Sequence, residues 1–357
     1  MYIKSLSLEN YRNFERFTYT FDQHGCLISG ENGSGKSNLL EAIAYSAYGK
    51  SVRHHNDSDI VRFGVNHFFF QAGFVNHDEA YSFDIGYENN RKVIKLNGAI
   101  LSRMSELYKH IKVVYFSPDD ISLVNGTPRL RRSFIDTAIA NTDWEYLYKL
   151  KEYNQILQQR NALLKSDFEE KHKQTWDTNF CTASITIVKK RLEFIRKFEK
   201  VFNRIYSEIT DKEEEITFNY KATLQTNLSQ RDLEDFLFTK EQREKEVEHS
   251  LFGPHLDELI IKINGKPARD FASQGQKRSI VIALKLAQAE LIRLISDEYP
   301  ILMFDDILSE LDNERTRNII HNISKEHQIF IATPNADHYK DFDLRHLELK
   351  NENIDEV

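Results

Sequence analysis

Gly30-Glu31-Asn32-Gly33-Ser34-Gly35-Lys36-Ser37 stands just after the apolar run Cys26-Leu27-Ile28 and just before a helix-forming stretch that begins at Asn38. Few arrangements constrain a chain as tightly. The glycines let backbone N–H groups close on an anion, the lysine extends a cation toward it, and the Ser37 hydroxyl is placed to ligate a divalent metal. The following helix turns its positive end to the same point. Strand, glycine loop and helix start in this order make a phosphate-binding loop, and the expected ligand is ATP or GTP with Mg2+. Lys36 would reach the β- and γ-phosphates, Ser37 the metal, and Gly30, Glu31, Asn32, Gly33, Ser34 and Gly35 would form the cradle.

Two more segments have the chemistry of the same site. Pro300-Ile301-Leu302-Met303-Phe304-Asp305-Asp306 is an apolar run that ends in two carboxylates, the pattern of a buried parallel strand arriving at a phosphate. Asp305 would hold Mg2+, directly or through water, and Asp306 would orient or deprotonate the attacking water. Paired acids also cap strands at solvent, which is the structural alternative. Ser273-Gln274-Gly275-Gln276-Lys277-Arg278 precedes the helical stretch from Ile280 to Leu294. It reads as a second helix N-terminus able to bind an anion, or as an ordinary capped helix.

This set, with Ser309-Glu310-Leu311-Asp312 after the acidic strand, resembles the ABC/SMC class of ATPases, and more finely the RecF family. The resemblance is carried along nearly the whole chain. Its blocks are Leu8-Glu9-Asn10-Tyr11-Arg12-Asn13-Phe14, Asn38 to Ile43, Lys50-Ser51-Val52-Arg53, Phe116-Ser117-Pro118-Asp119-Asp120, Arg131 to Asp136, Gln159 to Lys165, and Gly253-Pro254-His255. It implies ATP and Mg2+ as cofactors, with Arg12 added to the ATP-binding residues. It implies a signature, Ser273, Gln274, Gly275 and Gln276, that acts on the nucleotide of a second subunit, with Ser309 and Asp312 as the loop following the acidic strand. The implied activity is a weak, DNA-stimulated ATPase that drives head-to-tail homodimers on DNA, in replication, recombinational repair and SOS induction. The implied partners are gapped or tailed DNA, single- and double-stranded, and the RecR and RecO proteins that help load recombinase.

Three departures from the family pattern are visible. Leu256 and Glu258 replace an Arg and an Asp after Gly253-Pro254-His255. The acidic strand ends Asp-Asp rather than the Asp-Glu of most ABC ATPases, as is usual for this family. Where those ATPases carry a switch histidine, the run Gln328 to Ala332 leads into Thr333-Pro334. Thr333 either hydrogen-bonds a phosphate or is simply a turn residue.

The expected fold is α/β: an ABC/SMC-type ATPase head, with a mixed sheet and an antiparallel β subdomain, interrupted by a helical insertion. Residues 1–120 would form the first half of the head, 121–250 the helical arm, and 251–357 the second half. Short β candidates at Phe68-Phe69-Phe70, Tyr81 to Ile85 and Val93 to Leu96 are separated by Asn89-Asn90 and Asn97-Gly98, which read as hairpin turns. From about 128 to 210, Trp144, Leu147, Leu150, Tyr153, Leu157 and Leu164 recur at helical spacing. Two helices of ~40 residues would reach only ~60 Å, which excludes the long coiled coil of SMC proteins.

Hydrophobic content of 40% and charged content of 29% are those of a globular protein, and no apolar run approaches the ~20 residues of a membrane span. The N-terminal residues lack signal-peptide architecture, so the expectation is a cytoplasmic protein with no membrane partner. Cys26 and Cys181 suggest buried thiols rather than a disulfide or metal site. A net charge of −7 offers no global attraction to nucleic acid, so DNA contact must be local. The densest basic segment runs from Val188 to Ile205. Lys189, Lys190, Lys197 and Arg204 there, with Arg131 and Arg132 at the root of the insert, are the candidate DNA contacts; a solvated helix face is the alternative. A motor ATPase of a transporter is the competing function, but in such motors the signature follows the phosphate loop far more closely than Ser273 follows Ser37.

Overall fold

The computed structural model describes all residues except 54, 55, 78, 104, 105, 166–169, 211–213, 229, 311–315, 318, 321, 322, 324, 325, 340, 341, 351, 352 and 357. Its contacts divide the chain into two compact units. The first is Met1–Asp120, Glu208–Asp211 and Ile282–Val357; the second is Ile121–Ser207 and Lys212–Val281. Residues 251–281, expected in the second half of the head, thus cluster with the arm, because their strands pair with a strand of the arm.

The N-terminal stretch forms β1 (Tyr2–Tyr11), β2 (Phe14–Thr20), β3 (Gly25–Ser29), α1 (Lys36–Tyr48), β4 (His67–Asn76), β5 (Glu79–Glu88), β6 (Arg91–Leu96), β7 (Ala99–Ile100), α2 (Leu107–His110) and β8 (Val113–Phe116). An antiparallel sheet runs in the order β2-β1-β4-β5-β6-β7. Period-two alternation fixes its register: Phe68, Phe70 and Ala72 lie opposite Tyr87, Ile85 and Phe83, and all six are buried. The turns at Asn89-Asn90 and Asn97-Gly98 have positive φ at both central residues, as tight hairpins require.

The chain continues, mostly within the second unit, through α3 (Ser122–Asn125), α4 (Pro128–Thr142), α5 (Glu145–Leu163), α6 (Glu170–Thr210), β9 (Ile216–Lys221), α7 (Gln230–Val247), β10 (Glu258–Ile263), β11 (Lys266–Pro267), α8 (Ala268–Phe271) and α9 (Gln274–Ser296). The arm is therefore not wholly helical. β9 pairs antiparallel with β10 from Ile216↔Ile263 to Lys221↔Glu258, and an isolated six-residue alternation beside an acidic run is too short to announce such a strand. α6 extends about 60 Å. Its Phe194, Phe198, Phe202 and Tyr206, each one turn on, form a ring stack that receives Phe218 of β9. On α5 the buried residues are Tyr146, Tyr153 and Arg160, seven apart, whereas the predicted Leu147, Leu150 and Leu157 are half-buried. Arg160 is held inside by Asp177 at 2.8 Å and Glu244 at 2.7 Å and lies over the rings of Phe180 and Phe252.

The chain then adds β12 (Ile301–Asp305), β13 (Ile329–Thr333), β14 (Arg345–Lys350) and β15 (Asn353–Glu356). These complete a second sheet of the first unit, in the order β15-β14-β3-β13-β12-β8, parallel except for the β14–β15 pair. β3, β12 and β13 are buried at every position, which is why they read as continuous apolar runs. α1 is buried on nearly all sides: Tyr45 meets Phe68 and Phe70 of the antiparallel sheet, and the Tyr48 hydroxyl donates to Val113 O of the parallel one. Gln328 ties the same two sheets, its amide accepting from Ile3 N and donating to Ile3 O at 2.8 Å each. Both cysteines are buried free thiols. Among the described residues no helix is long and apolar enough to cross a membrane.

Candidate nucleotide site

β3, β12 and β13 end side by side, with Ser29 paired to Thr333 and Asp305 paired to Ala332. Ligands of parallel α/β sheets bind at these carboxyl ends. The loop from Gly30 to Gly35 leaves β3 here and enters α1. Gly35 sits at the helix cap with φ 106°, and a Cβ there would meet the Asn13 amide at 2.6 Å. Gly30, at φ 149°, would drive a Cβ to 2.6 Å from Leu349 O. The backbone is folded so closely that only glycine fits at these two places.

Lys36 is buried and its ammonium donates to Gly30 O at 2.8 Å and Glu31 O at 2.7 Å, closing the loop on itself. Burial pushes its pKa down, while Asp306 and Asp305 pull it up. Ser37 Oγ donates to Asp305 Oδ1 at 2.7 Å, and the Tyr115 hydroxyl of β8 donates to Oδ2 at 2.6 Å. Burial, then Asp305, holds the Tyr115 hydroxyl well above the usual phenol range. Asp306 has φ 56°, donates its N–H to Ala332 O, and buries Oδ1 without a partner among the described residues. Ser34 Oγ is a second buried oxygen of this kind. Two orphaned polar atoms beside a glycine cradle, a lysine and a hydroxyl–carboxylate pair fit a polyphosphate with a hard oxygen-ligated cation.

Arg12 lies beside the loop's helix and forms a two-pronged pair with Glu41 of α1, at 2.9 Å on both prongs, while also donating to Asp59 O. Glu41 accepts from Ser51 too. This guanidinium therefore clamps α1 from within the subunit. The Thr333 hydroxyl is engaged with Asn335 N and O, the turn arrangement rather than one open to a ligand. Ser309 is exposed and donates to Asp306 O at 2.6 Å; Asp312 lies outside the described residues. Three residues near the loop were not singled out from sequence. Asn13 accepts from Asn38 at 2.7 Å and approaches Ser34 O, Arg53 donates to Asn38 at 3.1 Å, and Tyr115 holds Asp305. Asn13 and Arg53 stand in family blocks; nothing in the apolar run around Tyr115 marked it.

The signature lies in the other unit at the start of α9. Ser273, Gln274 and Gly275 are exposed and Gln276 is half-buried. Ser273 N donates to Gln276 Oε1 at 2.6 Å and Gln276 N donates to Ser273 Oγ at 3.2 Å, a reciprocal helix cap.

The family described as RecF/RecN/SMC N terminal domain matches residues 2–350. A DNA replication and repair protein RecF of Desulfitobacterium hafniense is 36% identical over 340 residues, 93% of each chain. The chain belongs to the RecF family. The RecF of Staphylococcus aureus is 34% identical over 94% of each chain. A solved structure described as the recombination mediator protein RecF with ATP in the RecFOR pathway superposes with TM-score 0.92 at 29% identity, covering all of this chain and 97% of that one. An SMC head bound to the winged-helix domain of ScpA gives 0.60 at 17% identity, a likeness of fold.

The basic residues of this RecF-family chain fall into two groups. Arg131 is buried and donates to Gly126 O and Glu258, which withdraws it from any surface; Arg132 is half-buried and donates to Asp257 O. Arg191, in the densest basic segment, is also internal, paired with Asp136 at 2.9 Å. Lys190 pairs with Asp143 at 2.7 Å. Lys189, Lys197 and Arg204 are exposed, and Arg196 and Lys200 join them on the same side of α6, spaced three and four apart. Lys197 also pairs with Glu193.

Proposed function

We propose that this chain is an ATP-dependent DNA-binding switch of replication and recombinational repair. Two subunits join head to tail when nucleotide occupies the phosphate loop, the exposed signature of one subunit acting on the nucleotide of the other. The joined subunits hold gapped or tailed DNA, and slow hydrolysis releases it. RecR and RecO are the protein partners, recombinase loading and SOS induction are the outcome, and the cytoplasm is the compartment. The observation that carries this reading is the match to RecF proteins along 93% of the chain together with the Ser37–Asp305 pair at the strand ends. That match over the whole length also favours a DNA-repair role over a transporter motor.

ATP supplies a phosphoanhydride bond whose cleavage converts a joined state into a separated one. Lys36 and the loop amides bind its phosphates, Ser37 and Asp305 would hold Mg2+, and Asp306, buried and unpaired at Oδ1 among the described residues, is placed to orient water and take its proton. The test is sedimentation with ATP and Mg2+, alongside DNA anisotropy with and without ATP. ATP-dependent dimers that bind DNA, with Asp306→Asn accumulating both, support the switch. Monomers under every condition would overturn it.

A further inference from the structure

The signature is tied to the basic helix α6 through the Glu214 side chain. Gln276 Nε2 donates to Glu214 Oε1 at 2.8 Å, and Glu214 Oε2 accepts from the Tyr206 hydroxyl at 2.6 Å. All three residues belong to the same unit. Tyr206 is buried on α6, stacked on Phe202 at 5.6 Å, in the ring column whose outer side carries Arg196, Lys197, Lys200 and Arg204. At the other end the Gln276 carbonyl accepts from Ser273 N, so the two ends of this amide face opposite partners. A primary amide accepts at one end and donates at the other, while a carboxylate only accepts. Glu214 therefore fixes which way Gln276 points. It also leaves the Ser273 hydroxyl accepting from Gln276 N, with its own O–H available to donate outward.

We infer that Glu214 is a positioning residue that couples α6 to the signature, so that DNA pressing on the basic face of α6 adjusts the Ser273 cap through Tyr206, Glu214 and Gln276. The inference rests on the proposed trans role of the signature. A second link runs parallel to it: Glu199 of α6 accepts from Phe218 N at 2.8 Å, and Glu215 and Asn264 exchange hydrogen bonds, so the chain is held to α6 and to the β10–β11 turn just after Glu214. Such a chain of hydrogen bonds passes a shift of α6 from one partly buried polar group to the next.

Three variants test it: Glu214→Ala, Glu214→Gln, whose oxygen still accepts from Gln276, and Tyr206→Phe, which removes a single oxygen. None of these residues belongs to the phosphate loop, so affinity for a fluorescent ATP analogue should match the parent in all three. In Glu214→Ala the dimer fraction in ATP and Mg2+ should fall about tenfold, and Glu214→Gln should restore most of it. Stimulation of ATPase by duplex DNA should fall to near one-fold in Glu214→Ala and in Tyr206→Phe. A Glu214→Ala protein that dimerises and answers DNA like the parent would overturn the coupling. If Glu214→Ala does not fold, a Tyr206→Phe protein with parental DNA stimulation overturns it equally. A parent that never dimerises with ATP is a different result: it removes the proposed switch, and the coupling falls with it.

Discussion

Ser37 Oγ donates to Asp305 Oδ1 at 2.7 Å, joining the helix that follows β3 to the end of β12. Tyr115 takes the other carboxylate oxygen, so both oxygens of Asp305 are engaged within the chain. Asp305→Asn keeps the shape but replaces one acceptor oxygen by a donor. It should cost about 10²- to 10³-fold in ATP hydrolysis, the usual loss when one preorganised electrostatic group is removed. The measurement is steady-state phosphate release across a Mg2+ titration. Turnover within twofold of the parent would remove Asp305 from the metal site.

Tyr115→Phe addresses the same carboxylate from the other side. It leaves Asp305 Oδ2 buried without its donor, a loss of about 1–3 kcal/mol in stability. Urea unfolding should show it, and an unshifted midpoint would mean that water replaces the hydroxyl.

Lys36→Ala removes the cation that closes on Gly30 O and Glu31 O. A charged hydrogen bond is worth about 1.5–3 kcal/mol, so affinity for ATP should fall roughly 10- to 150-fold. Equilibrium titration with a fluorescent analogue decides it. Parental affinity would remove Lys36 from phosphate recognition.

How far these residues could be read in advance follows from the kind of signal each one sends. The loop, the acidic strand and the hairpins announce themselves because glycine at forced φ, a continuous apolar run ending in acids, and Asn-Asn or Asn-Gly turns are local constraints. Arg191 and Arg131 sent the wrong signal: in sequence they count as basic surface, and only the fold supplies Asp136 and Glu258 to bury them. β9 was hidden because its partner β10 lies beyond α7, and strand pairing at that distance leaves no local trace. Tyr115 and Glu214 were silent for the same reason, since each meets a partner that lies far away in sequence.

His255 gives the arm a pH dependence. Burial lowers its pKa to about 4, below the ordinary value of about 6.5. The folded state thus takes up its proton later than the unfolded state as pH falls. Stability is full above about pH 6.5 and declines between that value and about 4, by on the order of 2 kcal/mol after allowance for its partial exposure. Replacing His255 by Gln should flatten that part of the stability profile, as read from unfolding midpoints between pH 7 and 4. A profile parallel to the parent would assign the acid sensitivity elsewhere.

The exposed face of α6 is the place where DNA contact can be separated from nucleotide chemistry. Arg196, Lys197, Lys200 and Arg204 lie on it at spacings of three and four, in a chain whose net charge is −7, so favourable interaction with a phosphate backbone must concentrate on such faces. Each phosphate contact contributes about 0.9 to the slope of log affinity against log salt on duplex DNA. Replacing Arg196, Lys200 and Arg204 together by Gln should therefore lower that slope by roughly 2–3. ATP affinity should remain parental, since none of the three touches the loop. Anisotropy in saturating ATP across a salt series reads the slope directly. An unchanged slope would make this face a solvated one and move the DNA contacts to other basic residues of the chain.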